Sequence, residues 1–227
     1  MGQRLRSAML RAQLDSAGLA AAVGVDVKTV NLWPQTRPDL NAGASATAEV
    51  LGAFGHRADM PSELWVSLLL GATDQIDLVG YAYPFVLELL PNATDIIATK
   101  CRSGTRTRLA FADPDCAHVI ERDNLEQMHG TLSGRIRNAL SLLGELTVVP
   151  ECRIGLHSTH LYNSVFRFDD QMIVTPYLVR ARGYQHPALH LRRLSPHGIF
   201  ASFADQVEQI WETVTPYRQG GADKRTA

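Results

Sequence analysis

Imidazole and guanidinium groups carry most of the chemistry this sequence offers. His157, with Thr159 and His160, falls just before a strand pattern, and His186 and His190 flank or enter another. Imidazole works near neutral pH as a nucleophile, a proton carrier or a metal ligand. As a metal set, His157, His160, His186 and His190 have unspecific spacing: His186 and His190 are four apart but flank or sit in a strand, where the i, i+4 helical rationale does not apply, so no metal is assigned. His157 and His160 also fit ordinary polar residues at a strand end. Arg167, Arg180, Arg182, Arg192 and Arg193 recur near strand ends. With Tyr162, Ser164 and Asp169 they would form a small anion pocket, because the guanidinium fork matches phosphate and carboxylate. Residues 188–194 equally fit a plain half-buried strand, with Leu189 and Leu191 on one face and His190 and Arg192 on the other.

These side chains need elements to hold them. Thr47 to Arg57 and Pro61 to Thr73 carry helical patterns, the second with Leu64, Trp65, Leu68, Leu69 and Ala72 on one face. Ile76 to Tyr83 is apolar at nearly every position, as in a strand buried on both sides. Ala93 to Cys101 predicts a helix closed by Gly104. Thr105 to Phe111 then alternates, with Arg106 and Arg108 outward, which gives βαβ order. After a polar helical stretch and a helix around Ile136 to Leu143, strands are predicted at Arg153–His157, at Ser164–Val174 with a break at Asp169-Asp170, and at Ala188–Leu194. A closing helix over Ser202 to Val214 aligns Phe203, Val207, Ile210, Trp211 and Val214. The class is α/β, a mixed sheet covered by helices.

Composition narrows the function classes. The 227 residues hold 22 Lys+Arg against 23 Asp+Glu, a balance that argues against a protein coating nucleic acid non-specifically. A 45% hydrophobic content supplies a real core and excludes a disordered chain. No apolar run approaches the ~20 residues that span a bilayer, and the start has no signal-peptide core, so a cytoplasmic protein without a membrane partner is expected. Cys101, Cys116 and Cys152 are widely spaced and form no CxxC pair, which fits reduced thiols.

A small all-α segment precedes the α/β region. Gln3 to Leu14 is amphipathic, Asp15 and Ser16 are N-cap types, and Gly24 separates two further short helical stretches. Taking Gly24 as a turn glycine, Ala20, Val25, Val30 and Trp33 stand where a helix-turn-helix needs a close helix crossing and apolar ties. Lys28, Thr29 and Asn31 then face outward, suited to phosphate and base-edge contacts on DNA. The stretch from Leu19 to Val30 resembles the XRE-type helix-turn-helix of bacterial transcription regulators, over about residues 3 to 33. Such domains continue with two more helices, whereas Trp33-Pro34 ends the third helix here and a Pro/Gly/Asn-rich linker follows. The segment is shortened.

Residues 43–50, 55–59 and 61–65, leading to Leu161-Tyr-Asn-Ser-Val-Phe-Arg-Phe-Asp-Asp170, look like the second domain of actinobacterial XRE regulators, which is similar to one half of the phospholipase D fold. The resemblance covers nearly all of 43 to 214. In that superfamily each half carries His-x-Lys with an aspartate seven residues after the histidine. Counting back from Asp169 places Tyr162 at the nucleophile and Ser164 at the cation. A shifted register on His157 fails too, with Thr159 two residues on and Ser164 seven on. The resemblance therefore implies a scaffold without its catalytic pair, not a phosphodiesterase.

The expected organisation is a helix-turn-helix at 1–33, a linker at 34–46, a phospholipase D-like α/β domain at 47–217 and a tail at 218–227. The expected function is a homodimeric, non-enzymatic transcription regulator without cofactor or metal. It would bind promoter or operator DNA through Lys28, Thr29 and Asn31, and a small anionic ligand through His157, Tyr162, Ser164, Asp169 and Arg192. The alternative is a ligand-binding or interaction protein with a decayed reader that does not bind DNA, and a third reading, ranked below both, is a phosphodiesterase.

Overall fold

The computed structural model describes residues 17, 18, 21, 48–90 and 92–218. Lys28, Thr29 and Asn31, and the linker predicted at 34–46, lie outside the described residues. The chain divides into two compact units at Thr47/Ala48, and the architecture below is that of the second.

The elements in chain order are β1 (Val50–Phe54), α1 (Ser62–Gly71), β2 (Gln75–Val79), α2 (Phe85–Leu89), α3 (Ala93–Arg102), β3 (Arg106–Ala112), α4 (Ala117–Leu125), α5 (Thr131–Leu143), β4 (Cys152–His157), β5 (Asn163–Phe168), β6 (Gln171–Pro176), β7 (Ala188–Arg192), α6 (Ile199–Glu212) and β8 (Thr215–Pro216). They build one sheet ordered β1-β7-β6-β5-β2-β3-β4-β8. Strands β2, β3 and β4 are parallel. The run β5, β6, β7, β1 is antiparallel and joins antiparallel to β2. The protein is thus an α/β molecule with a mixed sheet covered by helices.

β2 lies at the sheet centre with all five residues buried, as its nearly continuous apolar run predicts. One sheet face receives Trp65 of α1, whose ring meets Phe85 at 5.0 Å and Phe166 at 5.3 Å between centroids. The other face is covered by α6, which buries Phe200, Val207 and Ile210. Under α6 lies a charged network. Arg108 Nε donates to Asp77 at 2.6 Å, and its two terminal nitrogens bind the Glu208 carboxylate at 2.8 and 2.7 Å. Arg108 was expected to face outward, but it is buried. The bidentate fork explains how a buried guanidinium is tolerated there.

Two further expectations are corrected, and a third is given its form. The helix predicted over 47–57 gives way at Val50–Phe54 to an edge strand with alternating exposure, paired to β7 with a register shift between Val50 and Gly52. Ladder bonds to β7 decide that segment over the helical preference of its alanines and leucines. Strand β7 is more than half-buried, since Ala188, His190 and Leu191 all lie inside. His190 reaches the Gln171 side chain at 2.9 Å. The break at Asp169-Asp170 is a β5–β6 hairpin turn, with Asp169 at φ 53, a left-handed conformation in which aspartate is enriched.

Candidate functional site

The sheet has two unlike ends. The carboxyl ends of β2, β3 and β4 lie together with the start of β5 and the end of β6. The opposite end gathers the start of β2, the β5–β6 turn and the end of β7. Tyr162, Ser164 and His157 stand at the first end, Asp169 and Arg192 at the second. The five ligand candidates therefore do not form one pocket. The reason is the strand itself, whose rise of about 3.3 Å per residue carries Ser164 and Asp169 to opposite edges of the sheet. The arginines divide likewise, with Arg180 and Arg182 beyond β6 and Arg167, Arg192 and Arg193 toward the hairpin turn.

At the second end, Asp169 is a clasp. Its carboxylate accepts the backbone N–H groups of Thr73, Asp74 and Gln75 at 2.8, 2.9 and 2.7 Å. Burial would raise its pKa, but these donors outweigh that and hold it below the ordinary carboxylate value. Arg192 is exposed and lies 3.4 Å from Asp170. Glu49 clasps the same end. Its buried carboxylate accepts from the N–H groups of Leu194, Ser195 and Phe200 at 3.2, 3.1 and 3.1 Å, and these donors lower its pKa against the opposing effect of burial. Gly198 is required beside it, because a Cβ there would collide with the Glu49 carboxylate.

The first end opens into a cavity of about 430 Å³. Its floor is polar: Ser164 Oγ and Tyr177 OH are 2.5 Å apart, with Thr175 beside them on the strand register. Gly80 lets Ser164 in, since a Cβ there would sit 2.6 Å from Ser164 Oγ. Aromatic walls come from Tyr81, Phe85, Phe166 and Tyr184, and the rim carries Arg57, Arg135 and Arg182. Arg57 is fixed by its Nε bond to Gly183 O at 3.1 Å and by stacking 3.8 Å over Phe85. Arg135 and Arg182 are exposed.

Beneath the rim, Arg122 donates to Glu126 at 2.6 Å and stacks 4.1 Å over the Tyr177 ring. Burial would raise the Glu126 pKa, but His186 and Arg122 outweigh it and pull the carboxyl below its ordinary value. Burial pushes the Tyr177 phenol up to about 12, with Ser164 and Arg122 partly opposing. The phenol is therefore neutral at physiological pH, a hydrogen-bonding group and not a nucleophile.

His157 is fully committed. Its Nε2 lies 3.2 Å from Gly80 O, and Nδ1 accepts the Thr159 N–H at 3.3 Å. That pattern assigns the neutral tautomer with hydrogen on Nε2 and leaves no lone pair for attack. Burial lowers its pKa, more than its two backbone bonds raise it. Tyr162 is 73% exposed, and its ring lies 5.1 Å from that of His160. Of the predicted ligand residues, only Ser164 lines the cavity.

Neither a family model nor a curated protein matches the sequence. Solved structures do match. A phospholipase D family member, Nuc from Salmonella typhimurium, is similar at 11% identity over 69% of this chain and 90% of its own, with a TM-score of 0.45. TrmBL2, an archaeal chromatin protein, is similar at 10% identity over 95% of this chain and 66% of its own, with a TM-score of 0.46. NucT from Helicobacter pylori is similar at 10% identity over 68% and 89%, with a TM-score of 0.43.

Sequence reasoning missed Tyr177, Arg57, Arg122 and Glu126. One signal for Tyr177 existed: once the hairpin turns at Asp169-Asp170, Ser164 must face Thr175, which brings the following Pro176-Tyr177 to the same edge. Arg57 and Arg122 carry no such signal, because loop and helix packing place them. No helix among the described residues is long and apolar enough to cross a membrane.

Proposed function

We propose that this protein is a DNA-binding transcription regulator whose phospholipase D-like α/β unit binds a small anionic ligand without turning it over. The observation that carries the ligand half is the cavity at the carboxyl ends of the parallel strands. Its exposed Arg135 and Arg182 sit above a neutral hydroxyl floor of Ser164, Thr175 and Tyr177. Arginine on an aromatic-walled, hydroxyl-floored site favours a planar or tetrahedral anion such as a carboxylate or phosphate.

The lack of turnover follows from the groups that would have to react. The position that counts back to a nucleophile is the exposed Tyr162, and the cation position is Ser164, held by Tyr177. His157 has both ring nitrogens engaged. The DNA half rests on the residue pattern from Leu19 to Val30, and homodimer formation would let two shortened readers address two half-sites.

Fluorescence anisotropy of the intact protein tests the reading, on labelled duplex from upstream of its own gene and on a scrambled duplex at two salt concentrations. Preferential binding that Lys28→Ala/Asn31→Ala weakens is expected. Equal or absent binding moves the function to the α/β unit alone, as a ligand-binding protein that does not address DNA.

A further inference from the structure

Outside the cavity lining, a second cluster is built on α4 and the β4–β5 loop. His118 and Glu121 stand three residues apart on one face of α4, and His160 reaches them from the loop. His118 Nδ1 lies 3.4 Å and His160 Nδ1 3.5 Å from the same oxygen, Glu121 Oε2. The donor atoms of all three residues lie within 4.8 Å of one another. We propose that His118, Glu121 and His160 bind a divalent transition-metal ion of the zinc class.

The distances fit metal coordination, beside the long hydrogen bond that His118 and Glu121 can also form. A charge-assisted hydrogen bond between imidazole and carboxylate closes to about 2.7–2.9 Å, and both contacts stop well short of that. Ligands held about 2.0–2.1 Å from a tetrahedral ion stand about 3.4 Å from each other, which is the spacing found at both Nδ1–Oε2 edges. The frame is rigid on both sides. His118 and Glu121 share a helical turn, while the loop bearing His160 is pinned by Thr159 N–H on His157 Nδ1 at 3.3 Å and Leu161 N–H on Tyr81 OH at 3.2 Å.

Two imidazoles and one carboxylate select Zn²⁺, Ni²⁺ or Co²⁺ over Mg²⁺ and Ca²⁺, which want more oxygen ligands. All three side chains are partly exposed, so a coordination position stays open to water or an external ligand. The histidine spacing gave no hint of this site, because it joined His160 to His157, His186 and His190. Those three are buried and bonded elsewhere.

Zinc competition against a chromogenic chelator, with untagged full-length protein, tests the assignment, and Co²⁺ absorption reports the geometry. The expected result is one equivalent of Zn²⁺ and visible Co²⁺ bands of four-coordinate intensity. His160→Ala and Glu121→Gln should each weaken binding by at least about tenfold, while His129→Ala leaves it unchanged. Circular dichroism and melting of the metal-free variants check that the exposed substitutions leave the fold intact. Retention of the full equivalent in folded His160→Ala, or equal loss in His129→Ala, would overturn the site.

Discussion

The two ends of the sheet are built on opposite principles. At the hairpin end, Asp169 and Glu49 spend their carboxylate oxygens on backbone N–H groups of neighbouring segments. At the cavity end, the polar floor pairs neutral hydroxyls with each other and leaves Arg135 and Arg182 facing out. Charge at the hairpin end is consumed in tying segments together, whereas charge at the cavity end is left for something else to meet. A carboxylate that collects several backbone donors contributes to stability, while an uncommitted guanidinium on a cavity rim contributes little to it and is free to bind. Arg192 and Asp169 were grouped with the ligand candidates for their residue types, yet their position assigns them to the stabilising end.

The comparison is tested hardest by removing the clasps. Glu49→Ala leaves three N–H donors without their acceptor and should cost about 3 kcal/mol. Asp169→Ala should cost about 2 kcal/mol, discounted for its partial solvent access. Ser164→Ala should cost about 1 kcal/mol or less. Urea unfolding followed by circular dichroism measures all three, and equal costs would abolish the distinction between the ends.

Acid acts through the same clasps. The folded pKa values of Glu49 and Asp169 lie below their ordinary values of 4.5 and 3.8. Their contribution is complete above those ordinary values and is lost as pH falls through the folded ones. Glu49→Gln should therefore flatten the acid limb of the stability profile.

How much of this was legible in the sequence depended on what fixes each feature. The central strand, the β5–β6 turn and the apolar stripe of α6 are written in local pattern, and each stands where the pattern puts it. The edge strand Val50–Phe54 was misread because its residues favour helix, and only pairing with the distant β7 makes them a strand. Arg108 was placed outward because alternation cannot reveal that Glu208, a hundred residues away, waits on the far face. The candidate site suffered most. Spacing can show that Tyr162, Ser164 and Asp169 share one strand segment, but only topology shows that its ends face different neighbours.

The next test separates binding from position. Orthophosphate and pyrophosphate, titrated into the protein and followed by two-dimensional NMR of the backbone amides, probe the cavity directly. Arg182→Ala should weaken the response about fivefold, equivalent to about 1 kcal/mol, with unfolding free energy nearly unchanged. Arg192→Ala, exposed beside Asp170 at the other end, should leave binding as it was. The reverse ranking would place the anion site at the hairpin end and refute the assignment of the cavity.

The smallest expected effect concerns His157, the one fully buried imidazole at the cavity end whose pKa is shifted. Burial holds its folded pKa below the ordinary 6.5, because the protonated ring would lose hydration that two backbone bonds do not replace. As pH falls through 6.5, the unfolded chain takes up the proton first. Stability contributed by the neutral ring is therefore complete above 6.5 and declines as pH drops toward the folded value. His157→Gln, whose side-chain amide can still donate toward Gly80 O, should flatten the profile between pH 7 and 5. The share of His190, which burial also depresses, should remain. Unfolding measured across that range in both proteins decides the point: parallel profiles would mean that His157 takes up its proton as readily in the folded protein as in the unfolded chain, and its commitment to Gly80 and Thr159 would no longer argue against a chemical role.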